Sequence, residues 1–319
     1  SPNNKQFLKY FCKLFWNILN KIIERIFIDY IFNIGIIEKP IHYFLENDEY
    51  PKPKWIPEGS PDTYVADPFL FQKKNEEFLH IIFEYYEHKK LKGNISTLRW
   101  DGSNSSNLCT ALSLDYHLSY PFIFESKGLL YCIPESLETG SIQLFRFDDK
   151  NRWVKEHTLI DDFPGADASI VFYQDRWWMF VTHAKDGTEH KLYVWYAEDL
   201  KSVWKPHEQN PVKFDIQSSR SAGPPFIYRD NLFRPSQNCS TTYGGSLTIN
   251  KVNLITPTEF SEECAKQILP QRDSLYPDGL HTLSSLNDVS VIDGKRKVFV
   301  PFVPILLKAK LQNTLKSIF

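Results

Sequence analysis

The chain has 319 residues, of which 42% are hydrophobic, 15% aromatic and 24% charged, with a formal net charge of −2. This is too apolar and aromatic for a disordered chain, and the near-zero charge gives no overall electrostatic reason to bind nucleic acid. The length allows one large domain or two ordinary ones, and 24 Phe, 16 Tyr and 8 Trp against 13 Gly favour a β-rich body.

Charge is unevenly placed along the chain. Residues 1–39 carry +3 and residues 295–319 carry +6, leaving an acidic middle. From Phe7 to Ile34 the sequence is largely apolar, with Lys9, Lys13, Lys21, Glu24, Arg25 and Asp29 interrupting it at helical spacing. Those charges exclude a spanning helix, which needs about 20 apolar residues, and they argue against a cleaved signal peptide. A basic helix rich in Phe, Trp and Ile suits a bilayer interface, although a core-packing or dimerising helix is the competing reading. The tail from Pro304 to Phe319 repeats the theme with Lys308, Lys310 and Lys316. The expected organisation is an amphipathic helical membrane-association segment over residues 1–50, a propeller over 51–303 and a basic amphipathic C-terminal helix over 304–319.

The middle holds one pattern five times: a polar entry, an apolar strand, a turn, then a second strand rich in aromatics. The copies begin at Ala66-Asp67-Pro68-Phe69, Ser119-Tyr120-Pro121-Phe122, Ala166-Asp167-Ala168-Ser169, Ser221-Ala222-Gly223-Pro224 and His281-Thr282-Leu283. Taking Asp67, Tyr120, Asp167, Ala222 and His281 as anchors, the intervals are 53, 47, 55 and 59 residues. That spacing suits four-stranded blades with generous loops. The predicted fold is all-β, a five-bladed β-propeller with flanking N- and C-terminal amphipathic helices. A strand near Trp55 is a candidate to close the ring against the last blade, in which Asp293-Gly294 reads as a hairpin turn.

In such a ring the anchors converge on one mouth. Asp67, Glu84, Glu135 and Asp167 are the candidate catalytic carboxylates, and His117, Tyr120, His183, Arg220, Arg234, Tyr243 and His281 the candidate substrate contacts. Clustered carboxylates push one another's pKa values apart, so that one serves as acid while another stays ionised. Sugar transfer through an oxocarbenium-like transition state requires that pairing. Arginines would grip a phosphate on an activated donor. The five cysteines, Cys12, Cys109, Cys132, Cys239 and Cys264, are scattered without a C-x-x-C, which argues against a disulfide scaffold and fits a reducing compartment. No His/Cys spacing indicates zinc, and no dinucleotide, Walker, zincin or nucleophile-elbow motif is present.

The ordered series Ala66-Asp67-Pro68-Phe69, Ile82-Phe83-Glu84, His117-Leu118-Ser119-Tyr120-Pro121, Ile133-Pro134-Glu135, Asp167-Ala168-Ser169, Arg220-Ser221-Ala222-Gly223, Arg234-Pro235-Ser236-Gln237-Asn238 and Gly279-Leu280-His281-Thr282 resembles the N-terminal propeller-like domain of plant glucosamine inositolphosphorylceramide transferases and their bacterial stand-alone relatives. The likeness runs over roughly residues 55–295. More distantly the chain is similar to the five-bladed furanosidase superfamily, where a blade-one Asp acts as base or nucleophile; that resemblance assigns the role to Asp67. The resemblance implies carbohydrate-active chemistry and leaves the reaction open. The Arg-Pro-Ala-Gln-Asp of the family is here Arg-Pro-Ser-Gln-Asn, so an acid at Asn238 is not required.

The expected function is a membrane-associated glycosyltransferase of polysaccharide biosynthesis. It would move a sugar from a nucleotide sugar or other sugar phosphate to a lipid-linked or cell-surface glycan acceptor. The protein would lie peripherally on the cytoplasmic face of an anionic membrane. A furanosidase-type glycoside hydrolase and a non-catalytic carbohydrate-binding propeller are the alternatives.

Overall fold

The computed structural model describes residues 9–16 and 28–299, apart from positions 61 and 75. Blade one comprises β3 (Thr63–Phe71), β4 (Leu79–Glu87), β5 (Lys92–Trp100) and β6 (Ser105–Leu112). Blade two comprises β7 (Ser119–Ser126), β8 (Leu129–Glu135), β9 (Ile142–Phe147) and β10 (Trp153–Ile160). Blade three is β11 (Gly165–Tyr173), β12 (Arg176–His183) and β13 (Lys191–Ala197), edged by the short β14 (Lys205–Pro206) and β15 (Lys213–Phe214). Blade four is β16 (Phe226–Tyr228), β17 (Asn231–Asn238), β18 (Ser246–Ile255) and β19 (Phe260–Ile268). Blade five joins both ends of the described chain in the order β20 (Leu283–Leu286), β21 (Val289–Phe299), β1 (Ile28–Ile37), β2 (Lys54–Trp55).

Every blade is an antiparallel sheet, and several of the hairpins turn where the backbone takes positive φ. Lys127-Gly128, Gln174-Asp175 and Arg229-Asp230 each place two consecutive residues there, as a two-residue hairpin matching strand twist requires. Apolar side chains from neighbouring blades interleave all round the ring. Phe69, Phe122 and Met179 belong to one cluster across blades one to three. Phe180 and Val194 meet Leu232 and Val252 between blades three and four. Leu247 and Ile249 meet Leu283 and Ile292 between four and five, and Ile34 and Val291 meet Ile81 and Phe83 between five and one. Each such side chain, fully removed from water, contributes about 1.5–3 kcal/mol.

Three expectations change. Residues 28–37, read as the end of an amphipathic helix, form β1, paired with β21 from Ile28↔Phe299 to Ile37↔Ser290. Strand alternation puts Ile28, Tyr30, Phe32, Ile34 and Ile36 on one apolar face and Asp29, Asn33 and Gly35 on the other, a period masked by the helical spacing of the charges from Lys9 to Asp29. The propeller therefore starts at β1 rather than at residue 51, and β1, with β2 outside it, closes the ring. Helix at the N-terminal end is confined, among the described residues, to 9–16 and the single turn Tyr43–Glu46. The tail 304–319 lies outside the described residues. Finally, Asp293-Gly294 sits inside β21, and the hairpin turns instead at Asn287, whose φ is 54°.

Candidate active site

The inner strands carry the site on a repeated irregularity. In blades one, two and three the β-ladder slips immediately after the pairs Ala66↔Glu84, Ser119↔Glu135 and Ala166↔Thr182. The next residue of the inner strand, Asp67, Tyr120 or Asp167, has φ of 53°, 42° and 51°. A bulge of this kind re-aims a side chain and frees its N–H from the ladder. Non-glycine residues in this region carry strain of order 1–3 kcal/mol, which persists only where surrounding contacts hold it.

Those contacts run from blade to blade. The Asp67 N–H donates to Asp293 Oδ2 (3.0 Å), the Tyr120 N–H to Asp67 Oδ2 (3.2 Å) and the Asp167 N–H to Glu135 Oε2 (3.1 Å). Each freed backbone donor is thus satisfied by a carboxylate of the preceding blade. Glu84, Glu135 and Asp293 occupy matching points on the second strands, where Asp293 N–H bonds the Thr282 carbonyl across the hairpin. At the matching points blade four has no acid: Ser221 faces Ser236, and Ala222 follows.

Two cations balance this acidic floor. Arg220 Nε donates to Asp167 Oδ2 at 2.5 Å, and its Nη2 lies 3.6 Å from Glu135 Oε2. Gln237 Nε2 also donates to Asp167 Oδ2 (2.9 Å). His281 Nδ1 meets Asp293 Oδ2, and Nε2 lies 3.5 Å from Asp67 Oδ1, which also accepts the Thr282 hydroxyl (2.9 Å). Tyr120 reaches across the centre: its OH pairs with Ser169 Oγ (2.8 Å) and accepts the Gly223 N–H (2.7 Å). Gly223 sits at φ 144°, and a Cβ there would stand 1.9 Å from the Leu283 carbonyl oxygen, so only glycine fits. Tyr243 covers the floor, its ring 5.2 Å from the Arg220 guanidinium and edge-on to His281 at 5.4 Å.

Burial sets the protonation of these groups. Asp67 is pushed up to about 6 by burial, with Asp167 and Asp293 adding to the rise and His281 opposing it. Asp167 rises to about 7 through burial, even against Arg220. Glu84 is driven well above the usual carboxylate range by burial and then by the charges of Asp67, Glu135 and Asp167. Its Oε1 is buried without a hydrogen-bond partner, 3.5 Å from His117 Nε2. Burial holds His117 itself below its ordinary value. Although burial opposes it, His281 is raised by Asp293 and Asp67, while Asp293, also buried, is held down by His281. One floor thus gathers carboxyls whose ionisation is opposed to different degrees by burial and by one another, beside the His281–Asp293 pair.

Asp67, Glu84, Glu135, Asp167, Tyr120, Arg220, His281 and Tyr243 come together as expected from the repeat, with His117 at their edge. Arg234 does not join them. It is fully buried in blade four, where it grips Glu262 through Nε (3.0 Å) and Nη2 (2.5 Å) and donates to the Ser219 carbonyl. It therefore cannot grip a donor phosphate. His183 ends β12 packed edge-on against Phe163, accepting the Lys185 N–H. Asp293 was missed because Asp-Gly reads as a turn; its equivalence to Glu84 and Glu135 was the available signal. Asp67, His281 and Asp293 also form a group of metal-ligand type with donor atoms within 4.8 Å of one another. His281 lies between the two carboxylates, whose charges favour its protonated form.

The sequence profile described as glucosamine inositolphosphorylceramide transferase 1, N-terminal, matches residues 54–273. The chain belongs to this family. The protein named glucosamine inositolphosphorylceramide transferase 1 from Oryza sativa subsp. japonica is 34% identical over 215 residues, covering 64% of this chain and 28% of the relative. Its namesake from Arabidopsis thaliana is 30% identical over 212 residues, covering 64% and 27%. The chain thus matches little more than a quarter of the length of these family members. Among solved structures, a family 117 glycoside hydrolase from Zobellia galactanivorans superposes with a TM-score of 0.52 at 12% identity, covering 85% of this chain and 91% of that one. An exo-β-1,3-galactanase from Clostridium thermocellum gives 0.50 at 10% identity, over 67% and 54%. At such identities the likeness is one of fold.

Proposed function

We propose that the propeller is a glycosyltransferase that moves a sugar from a phosphate-activated donor to a lipid-linked or glycan acceptor at a membrane surface. The observation that carries this reading is the convergence of carboxylates from four blades on one buried floor with divergent protonation. The names of the family's plant members support transfer of a sugar to a lipid. Asp67, mostly ionised at pH 7, takes the proton of the acceptor hydroxyl. As that oxygen bonds the anomeric carbon, the bond from the carbon to the donor phosphate breaks and the phosphate leaves with the electron pair. Asp293 holds the Asp67 backbone through its N–H, and His281 favours the charged form of the Asp67 carboxyl. Arg220, paired with Asp167 and Glu135, is the cation this reading assigns to the leaving phosphate. Burial and the neighbouring carboxylates favour the protonated form of Glu84 beside the site. Residues 9–16 present Tyr10, Phe11, Phe15 and Trp16 to the outside together with Lys9 and Lys13, a composition suited to an anionic bilayer interface. None of the described helices is long and apolar enough to cross a membrane.

One observation favours furanoside hydrolysis as a second reading: Arg220 is already occupied by two carboxylates, and hydrolysis needs no cation for phosphate. The two readings part on one assay. Purified protein incubated with nucleotide sugars should release the nucleotide, and Asp67→Asn should lower that rate by about 10²-fold or more while the fold persists. Turnover of aryl furanosides alone would select hydrolysis. Neither activity, in a protein that binds sugar, would leave a binding propeller.

A further inference from the structure

A cavity of about 620 Å³ opens between blades five and one, walled by Ile31, Phe32, Val65, Phe83, Leu98 and Val298. Its volume is that of a small-molecule site, and its walls are mainly apolar. Leu108, on its rim, leaves 59% of its surface exposed. The cavity shares a wall with the acidic floor: Phe32 stacks on His281 at 4.6 Å and lies 5.8 Å from Tyr64, which lines the cavity too. Arg296, ion-paired to Glu58 at 2.9 Å, stands among the lining residues.

The chain leaves the propeller beside this cavity at both ends. Ile28 pairs with Phe299, a lining residue, so the segments before β1 and after β21 start from one place on blade five. Residues 1–27 and 300–319 include Lys5, Lys9, Lys13, Lys21, Arg25, Lys308, Lys310 and Lys316 against the single acid Glu24. Such cations are attracted to an anionic leaflet. Attraction of these segments to an anionic bilayer would bring lipid to the blade on which the cavity opens.

We propose that this cavity receives the acyl chain of an anionic lipid drawn from the bilayer, placing its headgroup over the Asp67–His281 floor. This rests on the reading above of a lipid-linked acceptor and names the subsite that would hold its apolar part. The cavity supplies the contacts that a headgroup alone lacks, and the Phe32–His281 stack links the two compartments.

The test uses the fluorescent fatty acid cis-parinaric acid with the full chain. Wild type should bind it saturably. Val298→Trp, filling the cavity from its half-buried edge, should weaken binding at least tenfold without changing sedimentation on phosphatidylcholine–phosphatidylserine vesicles. Leu108→Asp, at an exposed position that leaves the core untouched, should weaken it as well. No saturable binding, or equal binding by wild type and both folded variants, overturns the proposal. Binding that appears only after removal of residues 300–319 also overturns it, making the chain's own tail the occupant. Because no sugar transfer is read, a protein that binds the probe but turns over no donor sinks the transferase reading alone. One that transfers sugar to a water-soluble acceptor yet binds no probe sinks the cavity alone.

Discussion

Asp67 and Asp167 occupy equivalent bulges two blades apart, with Tyr120 of the blade between them, yet they face different basic side chains. His281 faces Asp67, and Arg220 clasps Asp167. Neither cation fully offsets the loss of water, so both carboxyls titrate far above the value near 4 of an exposed aspartate. Carbon-13 titration of the side-chain carboxyls should therefore find midpoints near 6 for Asp67 and near 7 for Asp167. The linkage sign follows. Between pH 4 and 7 the folded state binds more protons than the unfolded chain, so these groups destabilise the fold progressively as pH rises. Asp167→Asn, which mimics the protonated acid, should accordingly gain thermal stability relative to wild type between pH 5 and pH 8. A loss over that range would show that Arg220 dominates burial. The anchors were legible from the repeated polar residue before each apolar strand. Asp293 was not, because local turn chemistry and strand register compete for Asp-Gly, and only pairing with the neighbouring strands decides between them.

Elements separate residues that look alike in sequence. Arg220 and Arg234 both flank blade-four strands, but Arg220 precedes an inner-strand bridge and faces the centre, whereas Arg234 lies within β17 and turns to Glu262 on β19. Alternation along a strand decides which face a side chain takes, and the register of β17 was not fixed by its own sequence. Arg234→Ala leaves Glu262 buried beside Lys213 alone. Chemical denaturation should show a loss of about 3–5 kcal/mol, the cost of orphaning one partner of a buried pair. Donor turnover per folded molecule should remain within about twofold of wild type. A selective loss of activity in a stable variant would return Arg234 to the site.

The whole molecule depends on β1 for closure. The five-fold count and the all-β class were readable from the spacing of turns and apolar strands. The closing strand was not, because Ile28–Ile37 continues an apolar run whose charges fall at helical spacing, and only its pairing with β21 decides between the two periods. A chain starting at residue 28 should retain a cooperative melt, whereas one starting at residue 38 loses the pairing with β21 and the Ile34 and Ile36 packing against blade one. The second should fail to give a cooperative transition; an unchanged melt would remove β1 from the closure. The basic ends act at the same scale. Sedimentation on anionic vesicles should weaken as salt rises, since screening shortens their reach, and salt-insensitive binding would contradict an electrostatic anchor.

The pH dependence of donor turnover bears most directly on the chemistry assigned to the floor. For wild type, kcat/KM should rise through a midpoint near 6 as Asp67 ionises, and Asp67→Asn should retain a small residual rate without that limb. A wild-type profile flat between pH 5 and 7.5, or an Asp67→Asn profile that keeps both its height and its limb, would contradict the assignment of Asp67 as the base.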